Sequence, residues 1–189
     1  MVHIYGHRWP VRWGRPGQRR LVRVYSNCPQ VELFLNGKSC GVKRRNAQDF
    51  PCSGLRWEVP FAEGKNELRA VAHANGASAT DRVHLLYQTA VWSIPAKLEL
   101  SEKSRSGGTV TVEAYLHDAR GILCLDARNR VRFSLAGDGE LLDNLGTATG
   151  SRVIELYNGC AEIALKRGAE PCVVSVSSPG VEEAFVKVK

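Results

Sequence analysis

Two histidines near the start of the chain, His3 and His7, have a spacing that suits metal binding. Residues four apart lie on one face of an α-helix, so a helix here would present two imidazoles to the same ion. Gly6 lies between them and β-branched residues surround them, and both features disfavour a helix. We therefore predict ordinary surface or packing histidines and expect no metal site.

The six cysteines are divided equally between the two halves of the sequence. An odd number per half fits a disulfide framework poorly, and no pair has CxxC spacing. Free thiols beside apolar stretches behave as small buried hydrophobes. Four cysteines have such neighbours: Cys40, Cys124, Cys160 and Cys172. We predict that all six thiols are reduced and structural.

The most informative segment is VYSNCPQVELFLNGKSCG, residues 24–41. Apolar residues alternate with outward-facing ones in VELFL, which is the period of a strand with one buried face, and Phe34 falls on the outward side. Asn36-Gly37 follows at once and tolerates the positive φ values of a type I′ turn. The segment therefore predicts a β-hairpin.

Short strand-like runs separated by turn residues continue along the whole chain, and no helical period competes with them. In the first half the predicted strands are 21–26, 31–35, 55–61, 67–74 and 79–87. In the second half they are 97–101, 109–117, 130–135, 153–157, 160–166, 172–177 and 184–188. The loop 137–144 carries carboxylates, and we predict a hairpin turn there, with a calcium site as the alternative.

Three motifs carry a family resemblance. The motif SN…VELFLNGKS…G closely resembles the sequence of the Ig-like domain that follows the catalytic barrel in β-galactosidase-type enzymes of glycoside hydrolase family 2. The second half, with its DARG turn at 118–121, resembles the final Ig-like domain of the same enzymes and, more loosely, the Ig-like repeats of invasin-type adhesins. The opening HIYGHRWPVRWG resembles the segment that leaves the barrel, although Pro10 separates its two tryptophans.

Together, the pattern and the resemblance predict an all-β chain of two tandem immunoglobulin-like β-sandwich domains. The first domain is expected over 1–88, with an aromatic and basic N-terminal segment. A linker is expected over 89–96 and the second domain over 97–189.

The resemblance also implies that this chain has no catalytic residues. Retaining glycosidases use two carboxylates about 5 Å apart, and in this family both project from a (β/α)₈ barrel that the chain is too short to form. Asn66-Glu67 copies the Asn-Glu pair that carries the acid/base in such enzymes, but it lies in a turn that enters a strand. We predict a structural role for this pair and expect no cofactor.

Aromatic side chains are the candidates for contacts, because a neighbouring domain or a pyranose ring packs well on them. We predict docking or sugar contacts for Tyr5, Trp9 and Trp13, and for Phe34 on the outward side of its strand. The other two tryptophans have structural interpretations: Trp57 in the core and Trp92 in the linker.

Basic charge is concentrated in the first half. Residues 1–89 contain 14 Lys and Arg against 6 Asp and Glu, a net charge of +8, whereas residues 90–189 are close to neutral at −1. Prolines and glycines interrupt the arginines, and neither a recognition helix nor an aromatic RNA-binding strand is present, so we predict no nucleic-acid partner. No apolar run of membrane-spanning length and no signal peptide occurs, so we expect no membrane partner and leave localisation open.

These observations predict a non-catalytic C-terminal region of a β-galactosidase-like glycosidase. Its expected partner is the catalytic barrel of the parent enzyme, and carbohydrate is a second candidate partner. Two alternatives from other classes stay open: a free-standing carbohydrate-binding module and an adhesin-like stalk of Ig repeats.

Overall fold

Alternating apolar residues and frequent turn residues produce strands throughout the chain. The computed structural model describes residues 1–46, 48–74, 77–142 and 152–189. Within these residues the chain forms fourteen strands and one short 3₁₀ turn, Pro51–Ser53. The all-β prediction is confirmed. No helix in these ranges is long and apolar enough to span a bilayer.

The chain divides into two compact units, Met1–Thr89 and Ala90–Lys189. The strands of the first unit are β1 (Val2–Ile4), β2 (Val11–Trp13), β3 (Arg19–Ser26), β4 (Gln30–Leu35), β5 (Lys38–Arg44), β6 (Leu55–Pro60), β7 (Gly64–Ala74) and β8 (Ala77–Gln88). Those of the second unit are β9 (Pro95–Ser106), β10 (Thr109–Asp118), β11 (Arg130–Leu142), β12 (Val153–Glu155), β13 (Cys160–Ser178) and β14 (Val181–Val188).

The first unit is a sandwich of two sheets. A three-stranded sheet has the order β1-β3-β6, and a five-stranded sheet has the order β2-β8-β7-β4-β5. All pairings are antiparallel except that of β2 with β8. The predicted hairpin joins β4 and β5, with positive φ values at Asn36 (50°) and Gly37 (79°), as a type I′ turn requires.

Both sheets contribute to one core in this unit. Trp57 on β6 is buried, as predicted, and its indole N–H donates to the carbonyl oxygen of Gly41 at 3.1 Å. Leu68, Ala70 and Ala72 on β7 are fully buried, so the inward face predicted for that strand is confirmed. The remaining core positions include Ile4, Val22, Val24, Val31, Leu33, Val59, Val83, Leu85 and Tyr87.

The second unit is built around two long strands. In β10, every second residue from Val110 to Leu116 is fully buried, and the intervening side chains are partly exposed, as the alternation predicts. Strand β13 pairs with β10 through its first half and with β14 through its second half, and β11 pairs along both halves. The sheet order is β10-β9-β14-β13-β11-β12, and the added pairing of β10 with β13 closes a core around Phe133 and Leu165.

Two predicted strand boundaries in this unit are wrong. The runs 160–166 and 172–177 form one strand, because extended backbone continues through the residues between them. Strand β11 extends to Leu142, so the hairpin turn predicted for 137–144 is a paired strand as far as the described residues go. The Asp138 carboxylate there accepts backbone N–H groups from Ala169 (2.6 Å) and Glu170 (3.0 Å). Residues 143 and 144 lie outside the described ranges.

Candidate functional site

The first unit carries an aromatic loop between β1 and β2. The chain turns at Gly6, which has a φ of 99°. This turn brings Tyr5 and Trp9 together edge to face, with ring centroids 5.2 Å apart. Tyr25 on β3 adds a third ring, 6.5 Å from Tyr5. Tyr5 is 49% exposed and Trp9 is half-buried, so the loop presents aromatic surface to solvent.

Two arginines lie among these rings. The Nη2 atom of Arg12 donates to the Gly6 carbonyl oxygen at 3.1 Å, and Nη1 of Arg23 lies 3.5 Å from the Tyr25 hydroxyl. Burial, and then repulsion from Arg20, lowers the pKa of Arg12. In the described part of the chain, neither Arg12 nor Arg23 forms an ion pair, and the Nε atom of each is buried without a hydrogen-bond partner. We refer to these five residues as the aromatic–arginine cluster: Tyr5, Trp9, Arg12, Arg23 and Tyr25.

Trp13 lies on a different face. In the pairing of β2 with β8, Trp13 lies opposite Gln88 and Val11 lies opposite Leu86. Leu86 is exposed, so this side of the two strands faces outward. Alternation along β2 therefore directs Trp13 to the outer face of the five-stranded sheet, whereas Arg12 points to the opposite face. Trp13 is half-buried there.

Phe34 also lies on the outer face of that sheet, as predicted, and the Arg69 guanidinium stacks 4.0 Å from its ring centroid. Arg69 lies opposite Arg82 on β8. Trp13 lies opposite Gln88, which is six residues further along the same strand. That separation is about 20 Å along a strand. The structure thus brings Tyr5 and Trp9 together and leaves Trp13 and Phe34 apart from them and from each other.

The opening segment takes part in the fold of the first unit. Ile4 is fully buried, and β1 and β2 each extend one of the two sheets. Gly14 packs so closely that an added Cβ would lie 2.0 Å from the Tyr87 hydroxyl oxygen. The segment is therefore integrated into the first unit, and its exposed part is the loop around Tyr5 and Trp9.

The Asn66-Glu67 pair has the structural role predicted for it. The Asn66 side chain is buried, and its amide donates to the carbonyl oxygens of Ala62 (2.7 Å) and Gly64 (3.0 Å). Glu67 faces outward, 3.6 Å from Arg82 and 3.8 Å from His84.

Sequence reasoning missed a buried carboxylate in the second unit. Asp118 is the next inward position after Leu116 on β10 and is fully buried. Its oxygens accept hydrogen bonds from the backbone N–H groups of Ser93 (2.9 Å) and Ile122 (2.9 Å) and from the Arg120 guanidinium (3.1 Å). Burial alone would raise the pKa of Asp118, but these hydrogen bonds hold it well below its ordinary value. If the alternation of β10 is extended to residue 118, it places the Asp118 side chain on the buried face, and this could have indicated its role.

A second group of ionisable side chains lies on the partly exposed face of the second unit. Glu113, Cys160 and Glu162 are close enough to share a metal ion. Lys103 already occupies this position, 3.5 Å from Glu113 and in direct contact with Glu162. Burial and the two carboxylates raise the pKa of Cys160 to about 12, so the sulfur is a protonated thiol at neutral pH. We conclude that this cluster is an ion-paired surface.

Tyr25 also borders a shallow depression of about 280 Å³. Phe50, 73% exposed, lies on its rim, and Arg45 and Asp49 supply charged groups. Aromatic faces beside a few polar groups are the usual lining of small-ligand sites. The sequence motifs gave no signal for this depression, because β3 and the segment 45–55 meet only in the folded chain.

The chain is similar to known enzymes over its full length. It is 48% identical to a β-glucuronidase of Parabacteroides merdae and 44% identical to β-glucuronidase 3 of Bacteroides uniformis. The TM-scores are 0.89 and 0.90, and each match covers 100% of this chain and 24% of the other. A β-galactosidase of Bacteroides ovatus, BoGH2A, is 28% identical over 100% of this chain and 22% of its own length.

Residues 17–80 match the family described as "Domain of unknown function (DUF4982)". The chain spans only 22 to 24% of the length of these relatives and solved structures. It is a C-terminal segment of a glycoside hydrolase family 2 enzyme. The resemblance inferred from the sequence motifs is thereby confirmed.

Proposed function

We propose that the chain is a non-catalytic region of its parent glycosidase and that the aromatic–arginine cluster docks on the catalytic barrel. The observation that supports the proposal is the pair of arginines, Arg12 and Arg23, held among aromatic rings without an ion-paired carboxylate in the described residues. Acidic groups on a facing surface would form ion pairs and hydrogen bonds with both guanidinium groups. The net charge of +8 in residues 1–89 favours the same kind of partner.

For the sugar, the relatives favour a β-glucuronide. The sequence motifs alone predict a β-galactosidase type, and BoGH2A carries that name. The solved structures from Parabacteroides merdae and Bacteroides uniformis, which share 48% and 44% identity with the chain, are those of β-glucuronidases. We therefore assign the parent to β-glucuronide hydrolysis, with β-galactosides as the second candidate.

Hydrolysis assays test the non-catalytic role. The chain alone should hydrolyse chromogenic β-glucuronide, β-galactoside and β-mannoside substrates at the rate of buffer. Turnover that co-purifies with the protein and disappears in Glu67→Gln would overturn the proposal, because Glu67 is the one carboxylate that copies the family's acid/base motif.

Binding between the chain and the separately expressed catalytic part of the parent tests docking. Affinity should fall as salt increases, because ion pairs between these partly exposed arginines and acidic groups on the partner are screened by ions. Binding that is insensitive to salt would exclude the arginines as docking groups.

Carbohydrate contact is a second candidate function, favoured by the depression beside Tyr25. If the chain alone is retained on immobilised oligosaccharide, and Tyr25→Ala abolishes retention, the chain is a sugar-binding module. Elution with the void volume would leave docking as the role of these aromatic residues.

A further inference from the structure

Two histidines near the start of the chain and one distant aspartate converge beside strand β1. His3 lies on β1, His7 lies in the loop after it, and Asp81 lies on β8. The Asp81 Oδ2 atom is 2.8 Å from Nε2 of His7 and 3.8 Å from Nδ1 of His3. One ligand atom from each residue falls within 4.8 Å of the others.

The turn at Gly6 produces this convergence. The backbone reverses direction there, with a φ of 99°, so His3 and His7 meet without a helix. Their rings stack with centroids 4.9 Å apart and an interplanar angle of 12°. The prediction that no helix forms here is correct, but the conclusion drawn from it, that the pair is unsuited to a metal, does not follow.

The carboxylate is fixed in orientation by the backbone. Oδ2 of Asp81 accepts the N–H of Ile4 at 2.7 Å, and Oδ1 accepts the N–H of Arg82 at 2.9 Å. Outer hydrogen bonds of this kind orient the ligands of metal sites. Asp81 is 19% exposed at its side chain, and the imidazoles are 52% and 40% exposed, so an ion can enter from solvent.

A simple ion pair accounts for only part of this arrangement. His7 with Asp81 is such a pair, but it leaves unexplained why a second imidazole stacks against the first. A cation shared by both imidazoles and the carboxylate accounts for the convergence of all three side chains.

The charge around the site distinguishes it from the cluster of Glu113, Cys160 and Glu162. There, Lys103 occupies the position that an ion would need. Within the described residues, no Lys or Arg forms an ion pair with Asp81; its ion pairs are with the two histidines.

We propose that His3, His7 and Asp81 bind a divalent transition-metal ion of the zinc class. Two imidazoles and one carboxylate are a donor set that zinc accepts, and they leave one of its four positions for water. Tetrahedral bonds of about 2.1 Å place ligand atoms roughly 3.4 Å apart, and to bind one ion the two imidazoles would turn from their stacked arrangement until the plane of each ring contains the ion. The ion would join β1 of one sheet to β8 of the other and fix the loop that carries Tyr5 and Trp9.

Cobalt(II) titration of the whole 189-residue chain tests this site. Bound Co²⁺ absorbs in the visible range, and thiolate ligands add a charge-transfer band in the near ultraviolet, so the six cysteines are distinguished from imidazoles. The double variant His3→Gln/His7→Gln removes the proposed ligands. The matched control, His73→Gln/His84→Gln, removes two exposed imidazoles of the same unit.

We expect one Co²⁺ per chain in the wild type and the control, without the thiolate band and displaced by Zn²⁺. Affinity should fall by more than about a hundredfold in His3→Gln/His7→Gln, since changes in outer groups alone cost 10- to 100-fold. If that variant fails to fold, His3→Gln alone should lose at least about tenfold. Equal affinity in the wild type and in the variants of His3 and His7, binding that shows the thiolate band, or no saturable binding would each overturn the proposal.

Discussion

The two units of this chain differ in net charge and in how many of their basic side chains form ion pairs. In the first unit, basic residues exceed acidic ones by 8, and Arg82 is the one Lys or Arg with an ion pair among the described residues. The second unit is nearly neutral, and four of its basic side chains form ion pairs in the described ranges: Lys103, Arg105, Arg120 and Arg128. Among the described residues, the second unit pairs more of its cations internally, whereas the first has an excess of cations, two of which lie over aromatic rings: Lys43 over Trp57 and Arg69 over Phe34.

This difference is one reason why we propose that the first unit carries the recognition surfaces. The aromatic–arginine cluster, the depression beside Tyr25 and the three proposed metal ligands all lie within Met1–Thr89. In the second unit, Asp118 accepts backbone N–H groups of its own unit, and Lys103 is ion-paired with Glu113 and Glu162.

The largest expected effect concerns the core of the second unit. Phe133→Ala should lower the free energy of unfolding by about 3 to 5 kcal/mol, because it leaves a cavity among fully buried neighbours. Phe185→Ala is the matched control, since that ring is 64% exposed and its loss should cost less than about 0.5 kcal/mol. Urea denaturation measures both. A similar loss for the two variants would show that the core is not centred on Phe133.

A pH-dependent effect should come from Asp118. Its pKa is lower in the folded chain than the value of about 3.9 expected when unfolded. The carboxylate therefore stabilises the fold above that pH, and this contribution is lost as pH falls further toward the folded-state pKa. Asp118→Asn should destabilise the chain at pH 7 and flatten the loss of thermal stability below about pH 4. An unchanged acid profile in the variant would assign the acid sensitivity to other carboxylates.

The thiols provide a kinetic comparison of the two units. Cys52 is exposed, whereas burial raises the pKa of Cys124 to about 11 and that of Cys160 to about 12. Since the thiolate is the reactive form, native alkylation at pH 8 should modify Cys52 roughly a hundredfold faster than either of the others. Peptide mass mapping over time measures the order. Alkylation under denaturing conditions without reductant should then add six adducts, and four or fewer would indicate a disulfide.

Local signals predicted much of the fold. Alternation marked the buried face of β10, and Asn36-Gly37 marked the hairpin, because both depend on neighbouring residues alone. Strands β1 and β2 were missed, since each has three residues and is defined by the strand that it pairs with. The separation of 160–166 from 172–177 was wrong because the Asp138 carboxylate, on the neighbouring strand β11, accepts the backbone N–H groups of Ala169 and Glu170 between them.

The candidate sites were less predictable than the strands. Tyr5 and Trp9 were identified from residue type, but their partner Tyr25 comes from another strand. His3 and His7 were identified by spacing and then rejected, because the i, i+4 argument considers only a helix and Asp81 is 74 residues beyond His7. Contacts that a turn and a distant strand create together leave no periodic trace in one sequence.

We propose that the loop around Tyr5 and Trp9 docks on the catalytic barrel, and the affinity of the chain for that barrel is the decisive measurement. Calorimetric titration of the chain with the separately expressed catalytic part of the parent should show binding weakened by about 1.5 to 3 kcal/mol in Trp9→Ala, the value of one buried aromatic ring. Phe185→Ala, in the second unit, should bind as the wild type does, and Trp13→Ala reports separately on the outer sheet face. All three variants should keep the circular dichroism spectrum of the wild type. Equal affinity of Trp9→Ala and the wild type would contradict the account.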